Sequence, residues 1–454
     1  MGIRGSATLF THRTRIIMAS PPPTLEAILN GSSQDPKTNP FLVLMRGLDA
    51  KQNPPVDASQ ARDLLVSVAT YIIIFLVCVA IICLPYLQGA GGHRRRHWMI
   101  KRQYLDGHSQ PYWIPNSGLI VAGCHLVGST FFLVFLGLRY QDFKSGYVAD
   151  AFYGSAWLEL RWYPSYWSFF TQAWSTWFVR ASDASLKGKK NGIHPLVFNA
   201  NLIIFPTTAL ISALVLISAQ VASMSSQVDS YKTLIASLNL LSLHWQQGEN
   251  TLGSPQFRTA SAQYTEYGMK SSYMLARFKD TGLFWNFMAV PTFIFYVFGI
   301  STLLRVMHKR FQAVKSESDQ QSTISQTDSF AKRLLKNHNK NKSSQLRTSF
   351  IYLGVHYMLM TLTLLYHIII GLTFYHSGEA AMVDKPWLEL FMVLSNSGSY
   401  LLLCALVVQL LRIISEGWEQ ASETTSSSKS EKTREYEDSL SESKNCHPDI
   451  KLMT

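Results

Sequence analysis

Charged residues and cysteines are both scarce in this sequence. Only 15% of the 454 residues are charged, against about 25% in soluble domains, and this deficit argues against a soluble multidomain enzyme. The chain has five cysteines, with no CxxC spacing and no Cys/His metal pattern. Four of them lie inside long apolar stretches, which excludes a disulfide framework. We therefore expect no structural metal site and no disulfide-stabilised outer domain.

Ionisable side chains are also missing from the centre of every long apolar stretch. A proton-coupled transporter usually needs a carboxylate at mid-membrane depth, and many secondary transporters show an inverted repeat in the spacing of their spans. Neither feature is visible, nor is an HExxH motif. The sequence therefore predicts a protein that is not an enzyme and has no cofactor.

Long apolar stretches are what the sequence has instead. A helix crosses the hydrocarbon core with about 20 apolar residues, and only helices satisfy their own backbone polar groups in lipid. The sequence therefore predicts an all-α integral membrane protein, a bundle of seven transmembrane helices. The predicted spans are Leu64 to Leu87, Ile114 to Leu138, Trp162 to Val179, Pro195 to about Ala222, Gly282 to Leu304, Phe350 to about Phe374, and Trp387 to Ile414.

The distribution of lysine and arginine predicts the orientation of the bundle. Segments 88–113, 180–194 and 305–348 carry net charges of +4, +3 and +7, and basic connections are retained on the cytoplasmic side. We expect an outer N-terminus and a cytoplasmic C-terminus. The same bias accounts for the formal net charge of +12, so the sequence predicts no nucleic-acid partner.

Residues 223–281 do not fit a simple connection between spans. Apolar positions recur at helical spacing on both sides of the turn sequence GENTLGSP, which favours two amphipathic helices. We expect spans four and five to continue outward as a helical hairpin; the alternative is a pair of helices lying flat on the membrane. The predicted organisation is a disordered extracytoplasmic N-terminus (1–63), transmembrane helices 1–4 (64–222), the extracytoplasmic hairpin (223–281), transmembrane helix 5 (282–304), a basic cytoplasmic loop (305–348), transmembrane helices 6–7 (349–414) and a disordered cytoplasmic tail (415–454).

The N-terminal residues contain several competing signals. Asn30-Gly31-Ser32 matches a glycosylation sequon, which predicts a glycan at Asn30 if this segment is extracytoplasmic. Gly2 with Ser6 fits a myristoylation pattern, and the arginines before Glu26 resemble a mitochondrial transit peptide. Met18 is an alternative start. We favour the plasma membrane over other membranes of the secretory pathway, with a mitochondrial membrane as the minor alternative.

Polar and aromatic residues within the spans are the candidates for ligand binding. Tyr352, His356, Thr363 and His367 lie close to one face of span six, and span three has an aromatic stripe. Interior packing and interfacial anchoring are the alternative readings. The candidate ligand-binding residues are Trp167, Gln172, Trp174, His356, Thr363, His367 and Asn396.

Basic side chains beside the spans are the candidates for contact with partners. Such runs attract anionic lipid or an acidic cytoplasmic signalling partner, and a purely topogenic loop is the alternative. These residues are Arg94, Arg95, Arg96, Lys332, Arg333 and Lys336.

Seven spans, an outer N-terminus, a long basic third cytoplasmic loop and a Ser-rich tail resemble the topology of G-protein-coupled receptors. Two local sequences differ from that family. Span three ends in Val179-Arg180-Ala181 instead of an acidic-Arg-aromatic triplet, and Asn396 and Tyr400 keep a familiar spacing without the proline between them. The resemblance implies a receptor-like protein with an outward ligand pocket. A membrane scaffold is the main alternative, and a transporter or intramembrane enzyme is a further one.

Overall fold

The computed structural model describes residues 24–32, 38–52, 58–87, 98–105, 108–145, 151–186, 193–246, 253–324, 330–377, 390 and 393–416. Within these ranges the chain is almost entirely helical, with one small sheet. The elements in chain order are α1 (Leu25–Ser32), α2 (Pro40–Gln52), α3 (Ala58–Leu87), β1 (Ile100–Gln103), β2 (Tyr112–Pro115), α4 (Ser117–Ser145), α5 (Ala151–Leu160), α6 (Trp162–Leu186), α7 (Pro195–His244), α8 (Pro255–Ile324), α9 (Phe330–Ser377) and α10 (Val393–Glu416).

Six of the described helices are long and apolar enough to cross a membrane. They are α3, α4, α7, α8, α9 and α10. Large apolar side chains stand exposed on their outer surfaces, such as Leu65 (59% exposed), Val215 (63%) and Phe287 (71%). Soluble proteins rarely expose contiguous apolar patches of this extent, so these surfaces face lipid. The chain is a multi-pass membrane protein, as the sequence predicted.

Helix α6 contains the third predicted span, Trp162–Val179, but it is not among the six. The reason is its composition, because Ser168, Thr171, Gln172 and Thr176 lower its apolar character. All four of these polar side chains are buried. Helix α6 is therefore a polar helix packed inside the bundle.

The membrane core joins this polar helix to five of the apolar ones. Six side chains of one cluster are fully buried, and each comes from a different helix: α3, α4, α6, α8, α9 and α10. They are Ile74, Val121, Phe169, Tyr296, Met360 and Ala405. Phe169 of α6 thus lies in the same core as the lipid-facing helices.

Helices α7 and α8 are too long to be confined to a membrane. With 50 and 70 residues and a rise of about 1.5 Å per residue, they are about 75 and 105 Å long, against a hydrocarbon thickness of about 30 Å. The end of α7 packs against the start of α8 through Leu234, Leu238, Phe257 and Ala260, all buried. The two amphipathic stretches predicted within 223–281 are thus the outer parts of α7 and α8, which form an antiparallel hairpin.

The N-terminal segment differs from its prediction. Residues 1–63 were expected to be disordered, but α1 and α2 fold against the hairpin through Leu25, Leu29 and Phe41, which are at most 4% exposed. The Asn39 side-chain amide also donates to the Ser242 carbonyl at 3.0 Å. The expectation was wrong for these helices because their apolar side chains are buried by a distant part of the chain. Residues 1–23 lie outside the described ranges.

A small antiparallel sheet precedes α4, which an all-α prediction did not include. Ile100 pairs with Pro115, and Gln103 pairs with Tyr112. The Tyr112 hydroxyl donates to the Ile193 carbonyl at 2.6 Å, and burial raises the pKa of this hydroxyl, so it remains a donor. The sheet therefore fastens the start of α4 to the start of α7.

The two ends of the bundle differ in what projects from them. The hairpin face is the end from which residues 223–281 project. The basic face is the opposite end, where α3 ends, α4 and α7 begin, and α8 continues past residue 305. Helix α8 continues to Ile324 and α9 begins at Phe330, so most of the predicted basic loop 305–348 is helical. Residues 417–454, nearly all of the predicted tail, lie outside the described ranges.

Burial of Leu238 predicts how strongly the hairpin depends on its internal contacts. Leu238→Ala should destabilise the hairpin by about 2–5 kcal/mol, because a fully buried leucine leaves a cavity when truncated. Hydrogen exchange of 227–270 and proteolysis of 24–52 should both accelerate. Leu240→Ala, at a position 57% exposed on the same helix, should change stability by less than about 0.5 kcal/mol. Equal effects of the two variants would contradict the observed packing.

Candidate functional site

A cavity opens at the hairpin face between α5, α6, α8 and α9. Its volume is about 60 Å³, which is room for roughly four water molecules. One carboxyl group, one imidazole and five aromatic rings lie on its wall. They belong to Glu159, His367, Trp162, Tyr166, Phe169, Phe278 and Trp285. We refer to it as the hairpin-face cavity.

Glu159 is the one acidic side chain on the wall of this cavity. The Trp285 indole Nε1 donates to its Oε2 at 2.8 Å. In the part of the chain that the structure describes, this is the only hydrogen bond that the carboxylate accepts. The bond connects the end of α5 to the base of the hairpin arm of α8.

Arg161 follows Glu159 in the turn between α5 and α6, but its guanidinium points to other partners. It lies 4.0 Å from the Phe132 ring centroid and 4.6 Å from that of Trp162. Its Nη1 is 3.4 Å from the Tyr71 hydroxyl oxygen. Cation–π contacts of this kind hold a guanidinium against aromatic faces. The arginine is thus held toward α3 and α4.

His367 lies across the hairpin-face cavity on α9. Its ring packs edge-on against Trp162, with 4.7 Å between centroids, and against Phe169 at 6.0 Å. Among the described residues, no hydrogen bond reaches its ring nitrogens. A neutral imidazole has one donor and one acceptor nitrogen, so His367 can offer either to a molecule in the cavity.

A second cavity opens at the basic face between the ends of α3, α4, α9 and α10. Its volume is about 250 Å³, and its wall includes Gln172, His356, Gln409 and Arg412. The Arg412 Nε lies 2.7 Å from Glu416 Oε1. The Gln409 amide nitrogen donates to the Gly118 carbonyl at 3.0 Å. We call it the basic-face cavity, and its wall is more polar than that of the hairpin-face cavity.

A directed chain of hydrogen bonds runs along the inner wall of the basic-face cavity. The Tyr296 hydroxyl donates to Gln172 Oε1 at 2.7 Å, and Gln172 Nε2 lies 3.4 Å from His356 Nε2. His356 Nδ1 is 2.9 Å from the Ala405 carbonyl oxygen. Because a carbonyl only accepts, Nδ1 carries the proton and Nε2 accepts from Gln172. One chain therefore joins α8, α6, α9 and α10.

Further polar pairs connect the helices nearer the hairpin face. The Ser67 hydroxyl donates to Asn396 Oδ1 at 2.6 Å, and the Ser399 hydroxyl donates to the Tyr71 hydroxyl at 2.9 Å. His125 Nε2 lies 3.2 Å from the Ser168 hydroxyl. Buried polar groups in lipid are satisfied in this way by neighbouring helices.

The seven predicted ligand-binding residues do not form one site. Gln172 and His356 contact each other, and His367 lies in the hairpin-face cavity. Asn396 accepts from Ser67, and the Thr363 hydroxyl donates to the Leu359 carbonyl of its own helix at 2.9 Å.

The two predicted tryptophans lie apart from both cavities. Trp174 packs against Phe198 with 5.1 Å between ring centroids, and its indole donates to the Phe198 carbonyl at 3.2 Å. Trp167 is 39% exposed on the outer surface of the bundle. These two residues anchor and pack α6, and neither lines a described cavity.

Glu159, Trp285 and Tyr296 were not among the predicted site residues. A charged pair, Glu159 and Arg161, at the start of an aromatic span was the available sequence signal. Nothing in the local sequence marks Trp285 or Tyr296, because each acquires its role from a partner more than 100 positions away.

The predicted partner-binding and glycosylation residues are only partly described. Arg94, Arg95 and Arg96 lie outside the described ranges. Lys332, Arg333 and Lys336 belong to α9, and Asn30 belongs to α1, but none of these four side chains is described. Among the described residues, no group of three or more His, Cys, Asp or Glu is placed to hold a metal ion.

The hydrogen-bond chain predicts a specific cost for losing one hydroxyl. Tyr296→Phe should lower the free energy of unfolding by about 1 kcal/mol, because Gln172 Oε1 then loses its donor inside the bundle. Thermal unfolding in detergent measures this. Tyr400→Phe removes the same atom from a residue that is 44% exposed, so it should leave the midpoint unchanged. A Tyr296→Phe protein as stable as wild type would show that the chain contributes no stability.

Comparison with known proteins gives no further guide to the site. The chain matches no family model, no curated protein and no solved structure. Its function is therefore inferred from the geometry of the bundle and from the charge at its two ends.

Proposed function

We propose that α6 is a seventh crossing. Its first residues follow Glu159, which is bonded to Trp285 at the base of the hairpin. Near its other end, Phe178 packs against Tyr112, which is fastened to Ile193 at the start of α7. The helix thus extends from one face of the bundle to the other. A helix whose polar side chains are buried against other helices needs little apolar surface toward lipid, which supports a crossing at this place.

The charge pattern supports the orientation that goes with seven crossings. The hairpin face is extracytoplasmic in this proposal, and the basic face is cytoplasmic, because the strongest net positive charge lies in 305–348. Helices α1 and α2 pack on the hairpin, so the N-terminal segment is on the outer side with it. Asn30 would then be available to the glycosylation machinery. The plasma membrane is the membrane that we propose.

We propose a receptor-like function for this bundle. The observation that carries it is the placement of two cavities at opposite faces, both lined by α6 and α9. His367 of the outer cavity and His356 of the inner one are 11 residues apart on α9, about 16 Å along the axis. A ligand at the hairpin face would therefore act on the same helices whose other ends form the basic face. This proposal includes no catalytic step.

The hydrogen-bond chain provides the element that would couple the two faces. A ligand shifts a conformational equilibrium only if it binds one state better than the other. Movement of α6 or α9 around the hairpin-face cavity would change the distances between Tyr296, Gln172 and His356. Each hydrogen bond depends on distance and direction. The chain would therefore favour a few defined arrangements of the helices over a continuous range of positions. The basic segments would present the change to a cytoplasmic signalling partner or to anionic lipid.

A partner-binding scaffold is the second candidate, and one observation favours it. The hairpin with α1 and α2 forms a packed unit beyond the bundle, and several large apolar side chains remain exposed on it. Leu240, Leu243 and Met269 are 57%, 73% and 61% exposed. Exposed apolar side chains of this size are available for contact with a partner protein. A scaffold would bind its partner with equal affinity when the hairpin-face cavity is blocked, whereas a receptor would lose its response.

Cysteine accessibility tests the orientation. Single cysteines at Arg258 on the hairpin and Lys309 beyond the basic face, both exposed positions, would be introduced after replacing the five native cysteines by alanine. An impermeant maleimide should label Arg258→Cys in intact cells, and should label Lys309→Cys only after permeabilisation. If both cysteines are labelled from the same side of the membrane, the chain between them cannot cross it an odd number of times. Labelling of Lys309→Cys alone in intact cells would reverse the orientation.

Proximity labelling from the C-terminal tail tests the receptor-like function. We expect enrichment of a heterotrimeric G protein or another cytoplasmic signalling protein. Neutralising Lys332, Arg333 and Lys336 together as glutamines should reduce that enrichment several-fold, because these charges lie on the proposed coupling segment. Neutralising Arg258, Lys270 and Lys279 of the hairpin is the matched control and should have no effect. A labelled set identical to that of an unrelated multi-pass protein would contradict the proposal.

A further inference from the structure

The hairpin-face cavity combines one carboxylate with a surround of aromatic rings. We propose that it binds an organic ammonium group, preferably a methylated one. This inference rests on the proposed receptor-like function and specifies the chemistry of its ligand. The groups that carry it are Glu159, Tyr166, Phe169, Phe278 and Trp285. The Trp162 ring on the same wall already holds the Arg161 guanidinium, 4.6 Å from its centroid.

The aromatic rings favour a cation with little hydration. The faces of Trp, Tyr and Phe rings are electron-rich and attract a cation within about 6 Å, most strongly when water is excluded. A methylated ammonium carries its charge on methyl groups that also pack well against apolar surface. An anion would meet the same ring faces with the opposite sign of interaction. The rings thus select for positive charge without requiring hydrogen bonds.

Glu159 supplies the counter-charge that the rings alone do not provide. Burial raises the pKa of its carboxyl group to about 7, and a cation in the cavity would favour the ionised form. Glu159 Oε2 accepts from Trp285, which fixes the direction of the carboxylate. In the described part of the molecule, no lysine or arginine lies within ion-pair distance of Glu159. Arg161 is the nearest cation in sequence. Its charge attracts Glu159 through space, but its guanidinium is held over Phe132 and Trp162 and forms no direct ion pair with the carboxyl group. A cation that enters the cavity can therefore form the direct ion pair that Arg161 does not.

The size of the cavity sets the size of the group. Its volume of about 60 Å³ corresponds to roughly four water molecules, and a trimethylammonium group has four heavy atoms. His367 on the opposite wall has an acceptor nitrogen, so an ammonium that retains a hydrogen can also be satisfied there. A substituent on nitrogen that is larger than methyl has to extend out through the opening of the cavity.

An ammonium of this kind has two sources. It is the headgroup of a choline lipid, reaching the cavity from the outer leaflet, or it is a free cation arriving from solution. The chemistry at Glu159 is the same for both. The two sources differ in whether a water-soluble cation binds to protein in a detergent without choline.

The first arm of the test is calorimetry on the full chain in maltoside micelles. Tetramethylammonium, choline and 3,3-dimethyl-1-butanol are each titrated into the protein. The alcohol is the control, because it has the shape of choline without its charge. We expect the cations to bind and the alcohol not to bind. Glu159→Gln should weaken cation binding at least 10-fold, whereas Glu266→Gln, on an exposed hairpin ion pair with Lys270, should leave it unchanged.

A second pair of variants keeps the test valid if Glu159→Gln fails to fold. Phe278→Leu removes one ring from the cavity wall and should weaken cation binding several-fold. Phe287→Leu makes the same change on the same helix at a position that is 71% exposed, and should have no effect. Equal weakening by both phenylalanine variants would show that the effect is general destabilisation and would overturn the proposal.

The second arm uses lipid nanodiscs and identifies the source. If the soluble cations do not bind, phosphatidylcholine discs should raise the unfolding midpoint above that in phosphatidylglycerol discs, and Glu159→Gln should abolish the difference. No response in either arm, or binding of the neutral alcohol as tight as that of choline, would overturn the proposal. The labelling rate of Lys309→Cys on the basic face is measured with and without the ammonium ligand. Ammonium binding that leaves this rate unchanged would contradict the receptor-like function but not the ammonium site.

Discussion

Polar groups buried in an apolar bundle are costly unless they find partners within the protein, and α6 shows the consequence most clearly. Its buried hydroxyls and amides would be costly in lipid, so they face the interior of the bundle, whereas Trp167 on the same helix is exposed. The apolar helices provide most of the surface toward lipid. The hydrogen-bond chain through Gln172 then connects three of these helices through one side chain or carbonyl on each. The polar composition of α6 thus determines that these side chains are buried, and their burial determines which helices are connected by hydrogen bonds.

The extent to which the sequence predicted the structure follows from the range of the interactions involved. Hydropathy located all six apolar helices, because burial in lipid depends on composition within one segment. Helical periodicity located the hairpin arms for the same reason. The docking of α1 and α2 was not predictable, since Leu25 and Phe41 are buried by residues 234–267. No local pattern records a partner about 200 positions away.

The candidate site shows the same limit. His367 and Gln172 were identifiable because a polar residue in an apolar span stands out. Their separation into two cavities depends on how α6 and α9 are oriented, which spacing along one helix does not give. Glu159 was visible as a carboxylate at the end of a span, but its significance comes from the Trp285 indole that holds it. Sequence identifies the polar groups, and the packing decides which of them share a site.

Helix α8 is continuous from the tip of the hairpin to Ile324, far beyond the membrane on both sides. A rod held near its middle moves its two ends in opposite directions. Tyr296 of α8 packs in the core with Phe169 of α6. Pro291 lies five residues before Tyr296, on the hairpin side, and its missing backbone donor makes the helix easier to bend there. A force applied to the hairpin by a bound protein would therefore tilt the far end of α8 as a lever does. The stiffness of the helix at Pro291 would set how much of that displacement reaches the end of α8 at the basic face.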